Sequence, residues 1–205
     1  SRTGPEVQAR PRASVAVTLS VAFLGHGFVA RAHAAALDRL PTVFPEAPAV
    51  ERSVLVGRDP DRAARAADRL GFARSSTDPG DARDADAVYV LTPNDRHADP
   101  ACAALARGAA VLCEKPLAAT VDGAERMAAA AAASDAVAGV GFNYRFAPNA
   151  ERARELVAEG ALGEVRRVRA RYLQDWLVDP EAPWSWRLDA ERAGSGALGD
   201  LAAHS

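Results

Sequence analysis

The residue whose type is best suited to chemistry is Lys115, in the run Val111–Pro116. It is the only lysine among 25 basic residues, so the other 24 are arginine. A chain that uses arginine wherever a surface cation suffices has kept lysine at one position. Lysine offers a compact ammonium that can transfer a proton or direct three N–H groups at one oxygen. We therefore interpret Lys115 as a functional residue.

The composition is that of a folded protein and gives no sign of a polyanionic partner. The 205 residues are 49% hydrophobic and 25% charged, with a formal net charge of -2, so neither nucleic acid nor an anionic membrane is expected. The apolar run Val15–Leu24 is too short to span a bilayer. Cys102 and Cys113 fit neither a disulfide framework nor a metal site. We expect a cytoplasmic protein without a metal.

The elements that must position Lys115 begin with a strand, a glycine turn and a helix. The strand Val15–Leu24 leads into Gly25-His26-Gly27-Phe28-Val29-Ala30, and an apolar pattern continues as a helix to Leu40. This is the G-x-G-x-x-A form of the dinucleotide-binding turn. Gly25 allows the tight turn, Gly27 lets a pyrophosphate approach, and Ala30 lets the helix pack closely. The helix N-terminus supplies free N–H groups.

The end of the second strand bears on the choice of cofactor. Ser53–Val56 is the predicted strand, and Asp59-Pro60 opens a helix that runs to Leu70. A carboxylate after this strand favours NAD, whereas an arginine suits the 2′-phosphate of NADP. Gly57-Arg58 stands there, so we expect NADP or NAD, with NADP favoured. Arg58 could instead stack on adenine or remain solvated, and Asp59 could swing in as the missing acid.

Three further strands alternate with helices and predict a parallel α/β sheet. They are Asp86–Leu91, Ala109–Cys113 and Ala138–Gly141, with helices through His97 to Arg107, capped by Asn94 or Asp95, and from Thr120 through Ala133. Ligands bind at the carboxyl ends of parallel strands. The expected cofactor contacts are Gly25, Gly27, Phe28, Val29, Arg58, Thr92, Pro93, Asn94, His97, Glu114 and Lys115. Of these, His97 is expected chiefly as a structural hydrogen-bonding group under the loop.

The pattern of apolar and charged residues changes beyond Gly163. A helix over 148–159 precedes an imperfectly alternating stretch, Glu164–Gln174, which predicts a long strand of an antiparallel sheet. We expect a disordered leader at 1–14, a dinucleotide-binding Rossmann domain at 15–146, and the beginning of a second α/β domain at 147–205.

Three motifs carry a resemblance to a known family. They are Ala87–Asn94 with His97, Val111–Leu117, and Gly194–Asp200 with His204. From residue 18 onward the chain resembles the glucose–fructose oxidoreductase / inositol dehydrogenase / MocA (Gfo/Idh/MocA) family, truncated at its C-terminus. The resemblance implies a Rossmann domain followed by a domain with a large open sheet, a nicotinamide cofactor, and a sugar, cyclitol or related polyol as substrate. It assigns Lys115, Asp200 and His204 as the catalytic set.

The chemistry of alcohol oxidation suits those three residues. A base must take the hydroxyl proton and a cation must lie near the forming carbonyl oxygen. His204 suits the base role, and the Asp200-x-x-x-His204 spacing puts both side chains on one helix face. The expected substrate contacts are Tyr144, Arg145, Gln174, Trp186 and Arg187. Packing between domains is the alternative for Tyr144 and Arg145, and a core or interface role for Trp186.

Three functions remain open from the sequence. The leading one is a dehydrogenase that transfers hydride between NAD(P) and a sugar or polyol, homo-oligomeric when full length. The alternatives are a glycoside hydrolase acting by transient oxidation with NAD, and a non-catalytic NAD(P)-binding sensor. Because most of the second-domain sheet is missing after His204, we expect the isolated chain to bind cofactor weakly and to be inactive.

Overall fold

Six parallel strands form one sheet in the order β3-β2-β1-β4-β5-β6 in the computed structural model, which describes residues 17–204. The strands are β1 (Thr18–Leu24), β2 (Ala49–Val56), β3 (Arg74–Ser76), β4 (Ala87–Val90), β5 (Ala110–Cys113) and β6 (Ala138–Val140). All neighbouring pairs are parallel. This is the predicted Rossmann sheet, with its order reversing between β1 and β4. The predicted leader at 1–14 and the first residues of the predicted strand, 15–16, lie outside the described residues.

Helices connect the strands and continue beyond the sheet. They are α1 (Phe28–Val43), α2 (Pro60–Leu70), α3 (Ala98–Ala106), α4 (Val121–Ala132), α5 (Pro148–Ala158), α6 (Ala190–Ala193) and α7 (Ala197–Asp200). Asp59 caps α2 as predicted, because its carboxylate accepts the Arg62 N–H at 2.9 Å. Thr120 caps α4 in the same way through the Gly123 N–H at 3.1 Å.

Three predicted boundaries were wrong. α1 does not end at Leu40 but passes through Pro41, since the Phe44 N–H still reaches the Leu40 carbonyl at 2.8 Å. Neither Asn94 nor Asp95 caps α3, because both lie in a separate 3-10 turn and His97 takes the N-cap position. β2 begins at Ala49 instead of Ser53, and β3 had no sequence signal.

The sheet is covered on both faces, so it contributes to two apolar clusters. Within β1, Val21 and Phe23 face the cluster formed with α1 and α2, while Ala22 and Leu24 face the cluster formed with α3 and α4. Alternate residues of a strand point to opposite faces. The buried helix residues in these clusters are mostly alanine, among them Ala30 at 0% exposure. Small side chains bring the helices close to the sheet.

The carboxyl ends of the strands are tied to one another. The residue after a strand donates its N–H to a neighbouring strand in five places: Gly25 to Val56 (2.8 Å), Gly57 to Ser76 (2.9 Å), Leu91 to Leu24 (2.8 Å), Glu114 to Val90 (2.9 Å) and Gly141 to Cys113 (2.8 Å). Gly25 requires glycine, because its φ is 109° and a Cβ there would lie 2.6 Å from the Leu91 oxygen. The loops that follow these strands therefore all begin at the same edge of the sheet.

The predicted strand Glu164–Gln174 is absent from the described structure. Residues 165–175 have no regular secondary structure, and Val168 and Leu173 are exposed. A strand is stabilised by hydrogen bonds to a neighbouring strand, and residues 17–204 place none beside this segment. The antiparallel sheet of the second domain and the boundary at 146/147 stay predictions. Among the described helices, none is long and apolar enough to cross a membrane.

Arg52 joins β2 to the two helices on its face and gives a test of this packing. Its guanidinium, 14% exposed, donates to the carbonyls of Leu70 (2.6 Å) and Ala34 (2.8 Å) and to the carboxylate of Asp38. We predict that Arg52→Ala lowers the free energy of unfolding by about 2–4 kcal/mol, because charged hydrogen bonds to partly buried groups are lost. Urea unfolding measures it, with exposed Arg65→Ala on α2 as control. Equal midpoints for the two variants would contradict the prediction.

Candidate active site

Lys115 lies two residues beyond β5, where its side chain turns towards the C-terminal segment. Its Nζ donates to the Asp200 backbone oxygen at 2.7 Å and to the Asp200 Oδ1 at 2.9 Å. The two side chains are 15% and 26% exposed, so the ion pair is partly shielded from water. Two of the three ammonium hydrogens are thus engaged, which leaves one for a ligand.

Arg187 approaches the same carboxylate oxygen of Asp200 as Lys115 does. Its Nε lies 3.6 Å from the Asp200 Oδ1, and its guanidinium stacks over the Trp186 ring with 4.7 Å between the guanidinium carbon and the ring centroid. Arg187 lines the cleft, as predicted for a substrate contact, whereas Trp186 is not part of the cleft wall. Trp186 therefore packs against the Arg187 guanidinium without lining the cleft itself.

His204 is held among aromatic rings. Its ring centroid lies 4.5 Å from that of Tyr144, 5.8 Å from Tyr172 and 6.2 Å from Phe142. Burial, and then the nearby Lys115 charge, lower the pKa of His204, although Asp200 and Glu114 oppose the shift. Within the described residues, its buried Nδ1 has no hydrogen-bond partner. The imidazole is therefore neutral at pH 7 and able to accept a proton.

Asp200 and His204 do not share one α-helix, contrary to the prediction. α7 ends at Asp200, and a 3-10 turn over Ala202–His204 follows. The His204 N–H bonds to the Leu201 oxygen at 3.1 Å, an i→i+3 contact that replaces the bond which would continue the α-helix. Both side chains nevertheless line the same cleft.

Tyr144 and Gln174 meet through Tyr172, a residue that the sequence did not single out. The two tyrosine hydroxyls lie 2.7 Å apart, and the Gln174 Nε2 donates to the Tyr172 hydroxyl at 3.0 Å. The hydrogen bond with Tyr172, together with burial, raises the pKa of Tyr144. Arg145 is exposed and outside the cleft lining, so its predicted substrate contact is not supported.

Glu114 enters the cleft beside Lys115 and pairs with a second residue that sequence reasoning missed. Its Oε1 lies 2.8 Å from the Nε2 of His33 in α1. Burial opposes ionisation of Glu114, but the His33 hydrogen bond and the neighbouring cations outweigh it, so the pKa of Glu114 lies below its usual value. The sequence signal that could have indicated this contact is His33 itself, a single histidine one helical turn after Ala30.

The glycine turn has the features that a pyrophosphate requires. Gly27 is the N-cap of α1 without a side-chain cap, and the first turn contains no acidic residue. A Cβ at Gly27 would meet nothing within 4 Å, so the space above the helix N-terminus is open. Phe28, 75% exposed, and Val29 line the cleft next to this turn.

The end of β2 has no free carboxylate. Gly57 is followed by exposed Arg58, and the Asp59 carboxylate is engaged in capping α2. The His26 ring lies against Gly57, where a Cβ would be 2.5 Å from its Cδ2. Asp59 was the alternative candidate for the acid that favours NAD. Its carboxylate is instead engaged in the cap of α2.

The loop after β4 is mainly structural. His97 is fully buried, with Nε2 2.8 Å from the Thr92 oxygen and Nδ1 3.1 Å from the Pro116 oxygen. Asn94 is 6% exposed and donates to the Ala193 oxygen at 2.9 Å. These contacts agree with the structural role expected for His97, and cofactor contacts by the His97 and Asn94 side chains stay predictions. Thr92 and Pro93 remain half-buried at this edge of the sheet.

The cleft between these groups has a volume of about 1540 Å³. Its walls are formed by Phe28, Val29, Ala32, His33, Leu112, Glu114, Lys115, Val140–Tyr144, Phe146, Tyr172–Trp176, Pro183–Ser185, Arg187, Asp200, Leu201 and His204. Single small-molecule pockets measure roughly 300–1,000 Å³. The larger open volume suits a dinucleotide and a second ligand together.

Comparison with protein-family models identifies both parts of the chain. Residues 19–142 match "Oxidoreductase family, NAD-binding Rossmann fold", and residues 150–205 match "GFO/IDH/MocA C-terminal domain". The chain belongs to the Gfo/Idh/MocA oxidoreductase family. The resemblance drawn from the three sequence motifs is confirmed.

The proteins similar to this chain include sugar dehydrogenases. Levoglucosan dehydrogenase of Pseudarthrobacter phenanthrenivorans is 42% identical over 190 residues, which cover 91% of this chain and 49% of that protein. D-Xylose 1-dehydrogenase [NADP(+)] of Haloarcula marismortui is 36% identical over 74% of this chain and 44% of that protein. The solved complex of levoglucosan dehydrogenase with NADH and levoglucosan has a TM-score of 0.87 at 42% identity, covering 92% of this chain and 52% of that one. The chain spans about half the length of these relatives.

His204 gives a test of the site that does not depend on turnover. We predict an imidazole titration midpoint below about 6.5, the ordinary histidine value, because burial and then Lys115 disfavour its protonated form. Lys115→Met should raise the midpoint towards that value by removing the charge. NMR titration measures this, with the signal assigned through His204→Gln. A midpoint above the ordinary value would contradict the geometry.

Proposed function

We propose that the protein transfers a hydride between a nicotinamide cofactor and a secondary alcohol of a sugar, cyclitol or related polyol. The observation that carries the proposal is the meeting of Lys115, Asp200 and His204 in one cleft, next to an uncapped helix N-terminus. The open space at Gly27 and the acid-free first turn of α1 fit a dinucleotide pyrophosphate. Family membership supports the same reaction class.

In the oxidation direction, His204 takes the proton of the substrate hydroxyl. Its lowered pKa keeps it unprotonated at neutral pH. Lys115 directs its remaining N–H at the same oxygen, which it stabilises as the carbonyl forms. Asp200 holds the ammonium in place through its backbone and side-chain oxygens. The nicotinamide, when bound, supplies the acceptor for the hydride that leaves the adjacent carbon.

A cyclic sugar is the substrate class that the cleft walls favour. Trp176, Trp184 and Gln174 line the cleft, and flat aromatic faces together with an amide suit a hydroxylated ring. The similarity to levoglucosan dehydrogenase covers nearly the whole chain. Levoglucosan is therefore the first substrate to test, followed by other pyranoses and by inositols.

NADP is the favoured cofactor in this proposal. Arg58 is exposed at the end of β2, Gly57 carries no carboxylate, and Asp59 is engaged in its cap. His26 occupies the space beside Gly57. The relatives use both dinucleotides, since one is named for NADP and another is solved with NADH. The local charge supports the phosphorylated form.

Location and assembly are also inferred. Cys102 and Cys113 are free, which agrees with a reducing cytoplasm. A homo-oligomer and a domain boundary between the end of β6 and the start of α5 remain predictions for the full-length protein.

Lys115→Arg in the full-length protein tests the proposed reaction. We predict a fall in kcat of at least about 100-fold, because a guanidinium pairs with Asp200 but cannot present a compact ammonium to the substrate oxygen. Formation of the reduced cofactor with levoglucosan and a polyol panel is the measurement. Exposed Arg65→Lys is the matched control. Turnover near that of the unaltered protein would overturn the proposed role of lysine. Sugar release without net cofactor reduction would instead indicate the glycoside hydrolase.

Arg58→Ala tests the cofactor assignment. We predict that kcat/KM for NADP falls by about 10-fold while that for NAD changes little, since only NADP carries the 2′-phosphate. Arg69→Ala, an exposed substitution on α2, should change neither value. An NAD preference in the unaltered protein that persists in Arg58→Ala would refute the assignment.

A further inference from the structure

His33 is a half-buried titratable residue that the proposed reaction leaves without a role. It lies inside α1, and its Nε2 is 2.8 Å from the Oε1 of Glu114. The side chains of His33 and Glu114 are 20% and 15% exposed. The contact joins the helix whose N-terminus faces the dinucleotide turn to the strand end that carries Lys115.

The His33 imidazole is fixed by its surroundings. It makes edge contacts with the rings of Tyr89, at 5.4 Å and 72°, and Phe23, at 6.4 Å and 81°. Its helix is anchored on the sheet through buried Ala30 and Ala34. The histidine is thus a rigid partner for the carboxylate.

The Glu114 carboxylate is held on its other sides as well. Its Oε2 accepts the Lys115 backbone N–H at 3.2 Å. Gly141 leaves room for it, since a Cβ at that position would lie 2.9 Å from Oε1. The carboxylate is ionised at neutral pH, because hydrogen bonds and neighbouring cations outweigh the effect of burial and lower its pKa. It also lines the cleft.

The negative charge of Glu114 determines whether this end of the cleft repels a cationic ligand. Besides the His33 imidazole, which contacts Glu114 directly, the charged groups that line this part of the cleft are the cations Lys115 and Arg187 and the carboxylates Asp200 and Glu114. Without a fixed Glu114 one cation would be in excess. An oxidised nicotinamide ring is positively charged, whereas the reduced ring is neutral, so only the oxidised form would be repelled.

We propose that His33 is a positioning residue that fixes the Glu114 carboxylate at the nicotinamide end of the cleft, where this charge favours the oxidised cofactor over the reduced one. The proposal rests on the proposed function, because it requires the nicotinamide to lie beside Lys115. It assigns His33 no contact with substrate or cofactor.

The test is the ratio of the dissociation constants of reduced and oxidised cofactor, measured by calorimetry on the full-length protein. Glu114→Gln removes the charge and is expected to lower this ratio by about 10-fold. His33→Ala leaves the charge but frees the carboxylate, so we expect about a 3-fold decrease. His33→Gln can donate an amide N–H to Glu114, and should return the ratio to within about 2-fold of the unaltered value. Exposed Arg39→Ala, on the same helix, is the control.

The outcomes separate this inference from the proposed function. Binding of both cofactor forms with the same ratio in His33→Ala and the unaltered protein would overturn the inference alone. An equal loss of affinity for both forms in His33→Ala and His33→Gln would indicate a merely structural histidine, and would also overturn it. Failure of the unaltered protein to bind either form would overturn both proposals.

Discussion

The ion pair of Lys115 and Asp200 is the interaction on which the candidate site depends. It joins a strand end of the Rossmann sheet to the short helix α7 near the end of the described chain, with 2.9 Å between Nζ and Oδ1. A partly buried pair offsets its desolvation only when further hydrogen bonds complete it. The Asp200 backbone oxygen accepts one such hydrogen bond from Lys115, and the Arg187 guanidinium adds a second positive charge 3.6 Å from the carboxylate. Together with the backbone contact, the pair holds the ammonium in the cleft that His204 also lines.

The sheet places that lysine through its own geometry. Successive strands end at one level, because the residue after each of several strands still donates to a neighbour. Gly25 and Glu114 are among these residues, so the dinucleotide turn and the catalytic loop start from the same edge. The His33–Glu114 contact then connects the two loops directly. The proposed cofactor turn and the proposed catalytic lysine therefore lie at one edge of the sheet.

Local signals in the sequence were sufficient for most of the Rossmann domain. Gly25, Asp59 and Thr120 act through their own backbone or through residues three positions away, and such effects can be predicted without knowing the fold. The apolar pattern predicted that the first helix ends at Leu40, whereas α1 continues through Pro41 to Val43. The strand at 164–174 was predicted from alternation alone, which does not provide a pairing partner.

Long-range contacts were the part of the site that the sequence could not reveal. His33 and Glu114, and Tyr144 and Tyr172, are distant in sequence and meet only after the helices and loops have packed. His97 was expected as a structural hydrogen-bonding group, but its partners, the Thr92 and Pro116 carbonyls, were not predicted. The pattern E-K-P identified Lys115, but not the partners that orient it.

Isotope transfer is the most direct measurement of the central claim, that these three residues support hydride transfer from a sugar carbon. The full-length protein would be supplied with a levoglucosan deuterated at its secondary-alcohol carbons, together with NADP or NAD. We predict one deuterium in the reduced cofactor and, in Asp200→Asn, a much slower transfer of the same label. Product formed without deuterium in the cofactor, or transfer at an unchanged rate in Asp200→Asn, would contradict the claim.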